Sequence, residues 1–260
     1  MEWSRVKSIL ICVFVLVNLF LIRVYINTNV STVTLTEETI NNTVTALKNN
    51  NIKIDKDFIT KKSPQLPAFN ITNKHINCKD LSLVLWENAK KNGFDYFNPE
   101  NTTFDGKNLV YKAPLGTDTI KDVKKKIKKT GVLYGYKYSL AEQDNSLSYT
   151  AVAENMFLYD CTITAKLSDE TVTITMSNWL SDSFENCGYS SVITCPEALI
   201  TFASEMKFKE MFEIVSMEKG YIAGTRNNEI QTKTATPVWK ISGNGVIYYI
   251  DMRNGDLLDL

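Results

Sequence analysis

Residues 156–179 read MFLYDCTITAK, LSDE, TVTITMSNW, and the alternation on either side of the short polar turn decides the fold class. Along Met156 to Lys166, Cys161, Ile163 and Ala165 share one side, and along Thr171 to Trp179, Val172, Ile174 and Met176 do the same. Successive side chains on a strand point to opposite faces, so each segment has one apolar face and one polar face. Leu167-Ser168-Asp169-Glu170 joins the two as a hairpin. An antiparallel pair with a single apolar face needs a covering layer, which calls for helices elsewhere in the chain.

Working outward, strands are expected at Phe212 to Ser216, Gly220 to Ala223, Pro237 to Ile241 and Val246 to Met252, with Gly243-Asn244-Gly245 turning the last hairpin. Towards the N-terminus, Tyr134, Tyr136 and Tyr138 alternate on one face, and Ile52 to Phe58, Phe94 to Phe97 and Leu109 to Lys112 read as further strands. The covering helices have their own signals. Thr36 caps a helix with Glu37 and Glu38 in its first turn and an Ile40, Val44, Leu47 stripe. Asp80 opens a second, with Leu81, Leu85 and Ala89 on one face. Asp118 to Lys129 forms a third, whose Ile120, Val123 and Ile127 are surrounded by lysines. Pro196-Glu197 starts a fourth, with Ala198, Leu199, Phe202 and Met206 inward. The fold class is α+β, antiparallel sheets with packed helices. A helix-rich lobe is expected over 36–145 and a hairpin-rich lobe over 146–260.

The first residues differ in kind. Ile9 to Ile22 is apolar except for Asn18, and Val6 and Val24 to Ile26 extend the run to ~20 residues, enough to cross ~30 Å of hydrocarbon. The run ends in Leu21-Ile22-Arg23-Val24-Tyr25-Ile26, without the small residues of a cleavage site, so an uncleaved anchor over 6–26 is expected. Arg5 and Lys7 precede it, which favours a cytoplasmic tail at 1–5, a stalk at 27–35 and an extracytoplasmic body. Asn18 bonds either its own backbone or a neighbouring transmembrane helix, and the second reading makes it the candidate partner-helix contact.

Little in the chain suggests catalysis. His75 is the one histidine, so a two-histidine metal site is excluded, and no G-x-S-x-G, G-x-G-x-x-G or P-loop is present. No catalytic residue, metal site or cofactor is assigned. Outside the anchor the chain has 26 basic and 28 acidic residues, which gives no basic footprint for nucleic acid. The lysine-rich helix is either a solvated face or a contact with anionic lipid or wall polymer. Of the four cysteines beyond the anchor, Cys187 and Cys195 are the pair closest in sequence and the candidate disulfide, with free thiols the alternative.

Three stretches carry a resemblance. Met1-Glu2-Trp3-Ser4-Arg5-Val6-Lys7-Ser8-Ile9 opens the chain. Ile193-Thr194-Cys195-Pro196-Glu197-Ala198-Leu199 is followed later by Lys219-Gly220-Tyr221. Pro237-Val238-Trp239-Lys240-Ile241 precedes Ile247-Tyr248-Tyr249-Ile250-Asp251 and Asn254-Gly255-Asp256. In that order they resemble the YycI family, and the last stretch also resembles PepSY-like modules. The resemblance implies a non-catalytic accessory of the cell-wall two-component system of Gram-positive bacteria. It implies as partners a sensor histidine kinase and a YycH-like protein, met through the membrane. The alternative it leaves is an anchored PepSY-like module that binds a ligand or inhibits a protease.

Overall fold

The computed structural model describes residues 2–29, 34–62, 66–72, 78–104, 108–132, 137–143, 145–153, 155–178, 183–190, 192–224 and 232–258. His75, Tyr134, Tyr136, Trp179 and residues 30–33 of the expected stalk lie outside them.

Helix α1 is Glu2–Asn29 and α2 is Glu37–Asn49. The α2 cap is the expected one: Thr36 accepts a hydrogen bond from the Thr39 N–H, and Ile40 and Leu47 are buried. Strand β1 is Ile52–Ile54, shorter than the alternation suggests, because Asp55 caps a tight turn at Lys56–Phe58. Next come β2 (Leu66–Thr72), α3 (Cys78–Lys91), β3 (Thr102–Phe104) and β4 (Asn108–Pro114). Phe94 to Phe97 is not a strand. Phe97 takes φ 66° in an irregular turn, and Tyr96 and Phe97 are buried against Tyr111. Then follow α4 (Ile120–Lys129), β5 (Lys137–Gln143) and β6 (Ser146–Ala153). The deciding hairpin is β7 (Met156–Leu167) and β8 (Thr171–Ser177), in a register that sets Ile163 opposite Met176 and Ala165 opposite Ile174. The chain continues through β9 (Ser183–Ser190), α5 (Cys195–Glu205), β10 (Phe212–Ile222) and β11 (Thr232–Thr234). It ends with β12 (Thr236–Gly243), β13 (Val246–Asp251) and β14 (Leu257–Leu258). Asn244 and Gly245 turn the β12–β13 hairpin, both at positive φ.

One large sheet runs β14-β13-β12-β10-β7-β8-β4-β3, with β1 added beside β10, β6 beside β7 and β5 beside β6. Most neighbours are antiparallel; β1 and β7 meet β10 in parallel. The two expected strands 212–216 and 220–223 are a single strand, β10, bent by a bulge between Ile214 and Ser216. A second sheet, β11-β2-β9, contributes Leu66, Phe69 and Ile71 to the core. Burial alternates along β6 and β8, so the large sheet has a covered face and an outer face.

Two apolar clusters fill the covered side. One joins Ile40 and Leu47 of α2, Leu199 and Phe202 of α5, and Trp239 and Ile241 of β12. The other joins Leu85 and Ala89 of α3, Val123 and Ile127 of α4, and Ile163, Ala165 and Ile174 of the hairpin. The clusters do not follow a boundary at residue 145, since each draws on chain from both sides of it.

Among the described residues no helix is long and apolar enough to cross a membrane. In α1 the described side chains of the apolar run are 10–22, about 20 Å of helix at 1.5 Å per residue. All of them are exposed, from Val17 at 48% to Leu10 at 70% among the large apolar residues. Among the described residues this stretch is thus left without a covering layer.

Candidate functional site

The motif residues at the C-terminal end converge on β10, β12 and β13. Trp239, 1% exposed, points into the core and donates its indole N–H to Ile193 O at 3.3 Å. Tyr221 is also inward, against Phe69 at 4.5 Å between ring centroids, and donates its hydroxyl to Pro67 O at 2.6 Å. Tyr248 packs on Phe202 and Phe212. These residues hold the two sheets and α5 together.

The alternate residues of the same strands meet on the outer face. Gly220 has no side chain where the Tyr159 ring lies: a Cβ there would sit 2.5 Å from Tyr159 Cε2 and 2.7 Å from Phe157 O. Tyr159 therefore lies down on the sheet, 5.6 Å from the Tyr249 ring and 6.1 Å from that of Phe157. Lys240 sits 4.9 Å over the Tyr159 ring and 3.4 Å from Glu218 Oε2. The Tyr159 hydroxyl donates to Lys219 O at 3.3 Å. Burial raises both tyrosine hydroxyls above their ordinary range, aided by the Glu218 carboxylate at Tyr159 and by Asp160 and then Glu218 at Tyr249, so neither titrates near neutral pH. The result is a rigid aromatic platform with one lysine and one carboxylate. At the hairpin end of the same strands Val246 and Ile247 are exposed, and so is Val215 in the β10 bulge.

Beneath the platform, β7 bulges where Thr150 pairs with Thr162 but Ala151 pairs with Leu158. Asp160 sits in that bulge. Its carboxylate accepts the N–H groups of Ala223 and Gly224, both at 2.9 Å, and Asn178 Nδ2 at 3.0 Å. Burial pushes its carboxyl above the usual carboxylate range, against the opposing pull of those backbone donors. Asn178 Oδ1 is buried without a hydrogen-bond partner among the described residues. One carboxylate thus ties the end of β8, the end of β10 and the middle of β7.

The residues anticipated from sequence lie elsewhere. Asn18 donates its amide to Phe14 O at 2.9 Å, the self-satisfied arrangement, with its remaining capacity facing outward from α1. Cys187 and Cys195 are both free and in different surroundings. Cys187 is exposed on β9, whereas Cys195 is buried at the start of α5, 3.3 Å from Met217 Sδ. Burial pushes the Cys195 thiol up to about 11, which keeps it protonated and unreactive. The anticipated pairing is corrected accordingly: closeness in sequence put the two together, but one serves as a core side chain. Among the described residues no three His, Cys, Asp or Glu side chains are grouped to hold a metal. Sequence reasoning missed Tyr159 and Glu218 as parts of a surface. A glycine inside a strand, Gly220, was the available signal of a close approach.

The family model for YycI protein matches residues 30–251. The chain belongs to the YycI family. Membership places it among accessory regulators associated with a two-component sensor-kinase system. No curated protein matches the sequence. A crystal structure of an uncharacterised protein from Eubacterium rectale ATCC 33656 aligns with 88% of this chain and 99% of its own, at 9% identity and a TM-score of 0.42. That likeness is too low to carry an argument. Both the outer platform and the core tyrosine–tryptophan set fall inside the family match.

Proposed function

We propose that this chain is a membrane-anchored accessory regulator of a sensor histidine kinase that governs cell-wall homeostasis. In this reading α1 spans the bilayer with its N-terminus cytoplasmic, and the body lies outside. The kinase and a YycH-like protein meet α1 within the membrane, and the platform on the outer face is where the body meets a partner. The observation that carries the reading, beside the family match, is the naked apolar surface of α1. By sequence the run continues beyond the described side chains to Val6 and Ile26, which brings it to spanning length. Apolar residues exposed on every side of a helix need lipid or other helices around them.

The test is purification from detergent with and without the native helix. With native α1, a histidine kinase is expected to co-purify. With residues 6–26 replaced by an unrelated apolar span of equal length, recovery is expected to collapse at equal membrane level. Undiminished recovery and signalling from the exchanged protein would sink the helix-packing mechanism and leave the body as the regulator.

A further inference from the structure

We infer that the lysine face formed by the last turns of α3 and the exposed side of α4 docks on an anionic bilayer surface. The two helices end side by side: Asn92, just past α3, donates to Lys129 O at 3.4 Å, and Gly131 lies against Asn88. This juxtaposition brings together Lys90, Lys91, Lys121, Lys125, Lys128 and Lys129, all exposed. The nearby acids are Glu87 on α3, Asp122 on α4 and Asp95, which accepts the indole N–H of the Trp86 ring under Lys90, so six cations against three anions leave the face at net +3. Asp122 is already engaged in the capping box with Thr119. Lys126 stands apart, paired with Asp118 at 2.5 Å and lying over the Tyr96 ring.

Helix construction does not account for this charge. A helix dipole favours cations only in the last turn. Lys121 is in the first turn of α4 and Lys125 in its middle. Lys121 with Lys125 and Lys125 with Lys129 are like charges at i, i+4, which destabilise a helix. The apolar residues that hold α4 on the body, Val123 and Ile127, are fully buried and would hold it equally well with neutral residues outside. The rest of the body is net acidic, so the positive charge is concentrated rather than spread.

The occupant follows from the form of the charge. Lysines are point cations on flexible stems, without the planar fork that selects one phosphate geometry. They lie on a convex helix rather than along a groove, which suits a diffuse negative surface such as phosphatidylglycerol headgroups. The anchor proposed above keeps such a surface within constant reach of the body, and to that extent the inference rests on it.

Full-length protein is reconstituted into vesicles of phosphatidylcholine, with or without about one-third phosphatidylglycerol, and its lysines are acetylated and read by mass spectrometry. Lys121, Lys125, Lys128 and Lys129 are expected to react about threefold or more slowly in the anionic vesicles, with high salt restoring their rates. Lys53 and Lys209, on the other half of the molecule, serve as unchanged references. In the Lys121→Gln/Lys125→Gln variant, which relieves repulsion and so keeps α4 folded, protection of Lys128 and Lys129 should fall. Equal rates in both vesicles overturn the inference. Protection by soluble polyphosphate but not by phosphatidylglycerol assigns the face to an anionic polymer and also overturns it. Flotation of the protein with the vesicles reports on the anchor separately.

Discussion

At the residue scale, Gly220 shows how one missing atom positions a surface. Its place is set by space and not by backbone strain, because the Tyr159 ring and the Phe157 carbonyl occupy the position of a Cβ. Gly220→Ala should destabilise the body by about 1–3 kcal/mol, the usual penalty for overpacking, and a lowered thermal midpoint would show it. Trp239 makes the opposite prediction: Trp239→Ala empties a fully buried site and should remove about 3–5 kcal/mol. Tyr249, by contrast, is half-buried on the outer face, so Tyr249→Ala should lower the midpoint less than Trp239→Ala does. Asp160 carries a pH signature. The folded carboxyl is raised above its ordinary 3.8, so over the interval between those values the folded state holds a proton that the unfolded chain has lost. Fewer protons bound on unfolding means that stability falls as pH rises through that interval. Asp160→Asn should flatten this slope in denaturation curves taken from about pH 4 upward. An unchanged slope would place the titration elsewhere.

At the scale of elements, α4 and α5 each open on a capping box, Thr119 with Asp122 and Thr194 with Glu197, which the sequence reading did not single out although the residues lie three apart. Thr194 and Glu197 close the N-terminus of α5, with Thr194 N–H donating to Glu197 Oε2 at 2.6 Å. Thr194→Ala should lower stability by about 1 kcal/mol, measurable in urea. Helix α1 is the element whose apolar side chains, over 10–22, are exposed among the described residues. In it, Asn18 spends one N–H on Phe14 O and keeps a second N–H and an oxygen. Asn18→Leu should leave membrane levels normal while reducing recovery of the partner kinase three- to tenfold, a loss of roughly 0.6–1.4 kcal/mol. Equal recovery at equal expression would remove Asn18 from the interface.

For the whole molecule, the decisive feature is that chain order and core order disagree. Lys53 of β1 pairs with Glu213 of β10 at 2.7 Å across 160 residues, and Ile40 and Leu47 share a core with Leu199 and Trp239. A fragment starting at residue 146 would keep α5, β10, β12 and β13 but lose α2, β1 and β2 from that core. It should therefore lack cooperative thermal unfolding and fixed near-ultraviolet circular dichroism. A sharp transition in that fragment would show a self-sufficient C-terminal lobe.

The sequence determined what short-range periodicity can encode. The faces of the β7–β8 hairpin, the Thr36 cap of α2 and the buried stripe of α4 all follow from spacings of two, three or four residues, and the apolar run of α1 from its continuity. The tertiary structure decided which elements meet. A strand's alternation names its faces but not its neighbours, so β1 beside β10 and the two clusters interleaved across residue 145 could not be read. Nor could the β7 bulge, where Asp160 gathers donors from β8 and β10, because bulges arise from mismatch between partners and not from either strand alone. The burial of Cys195 and the seat of Tyr159 on Gly220 have the same origin: each is a contact between segments far apart in sequence, and packing alone brings such segments together.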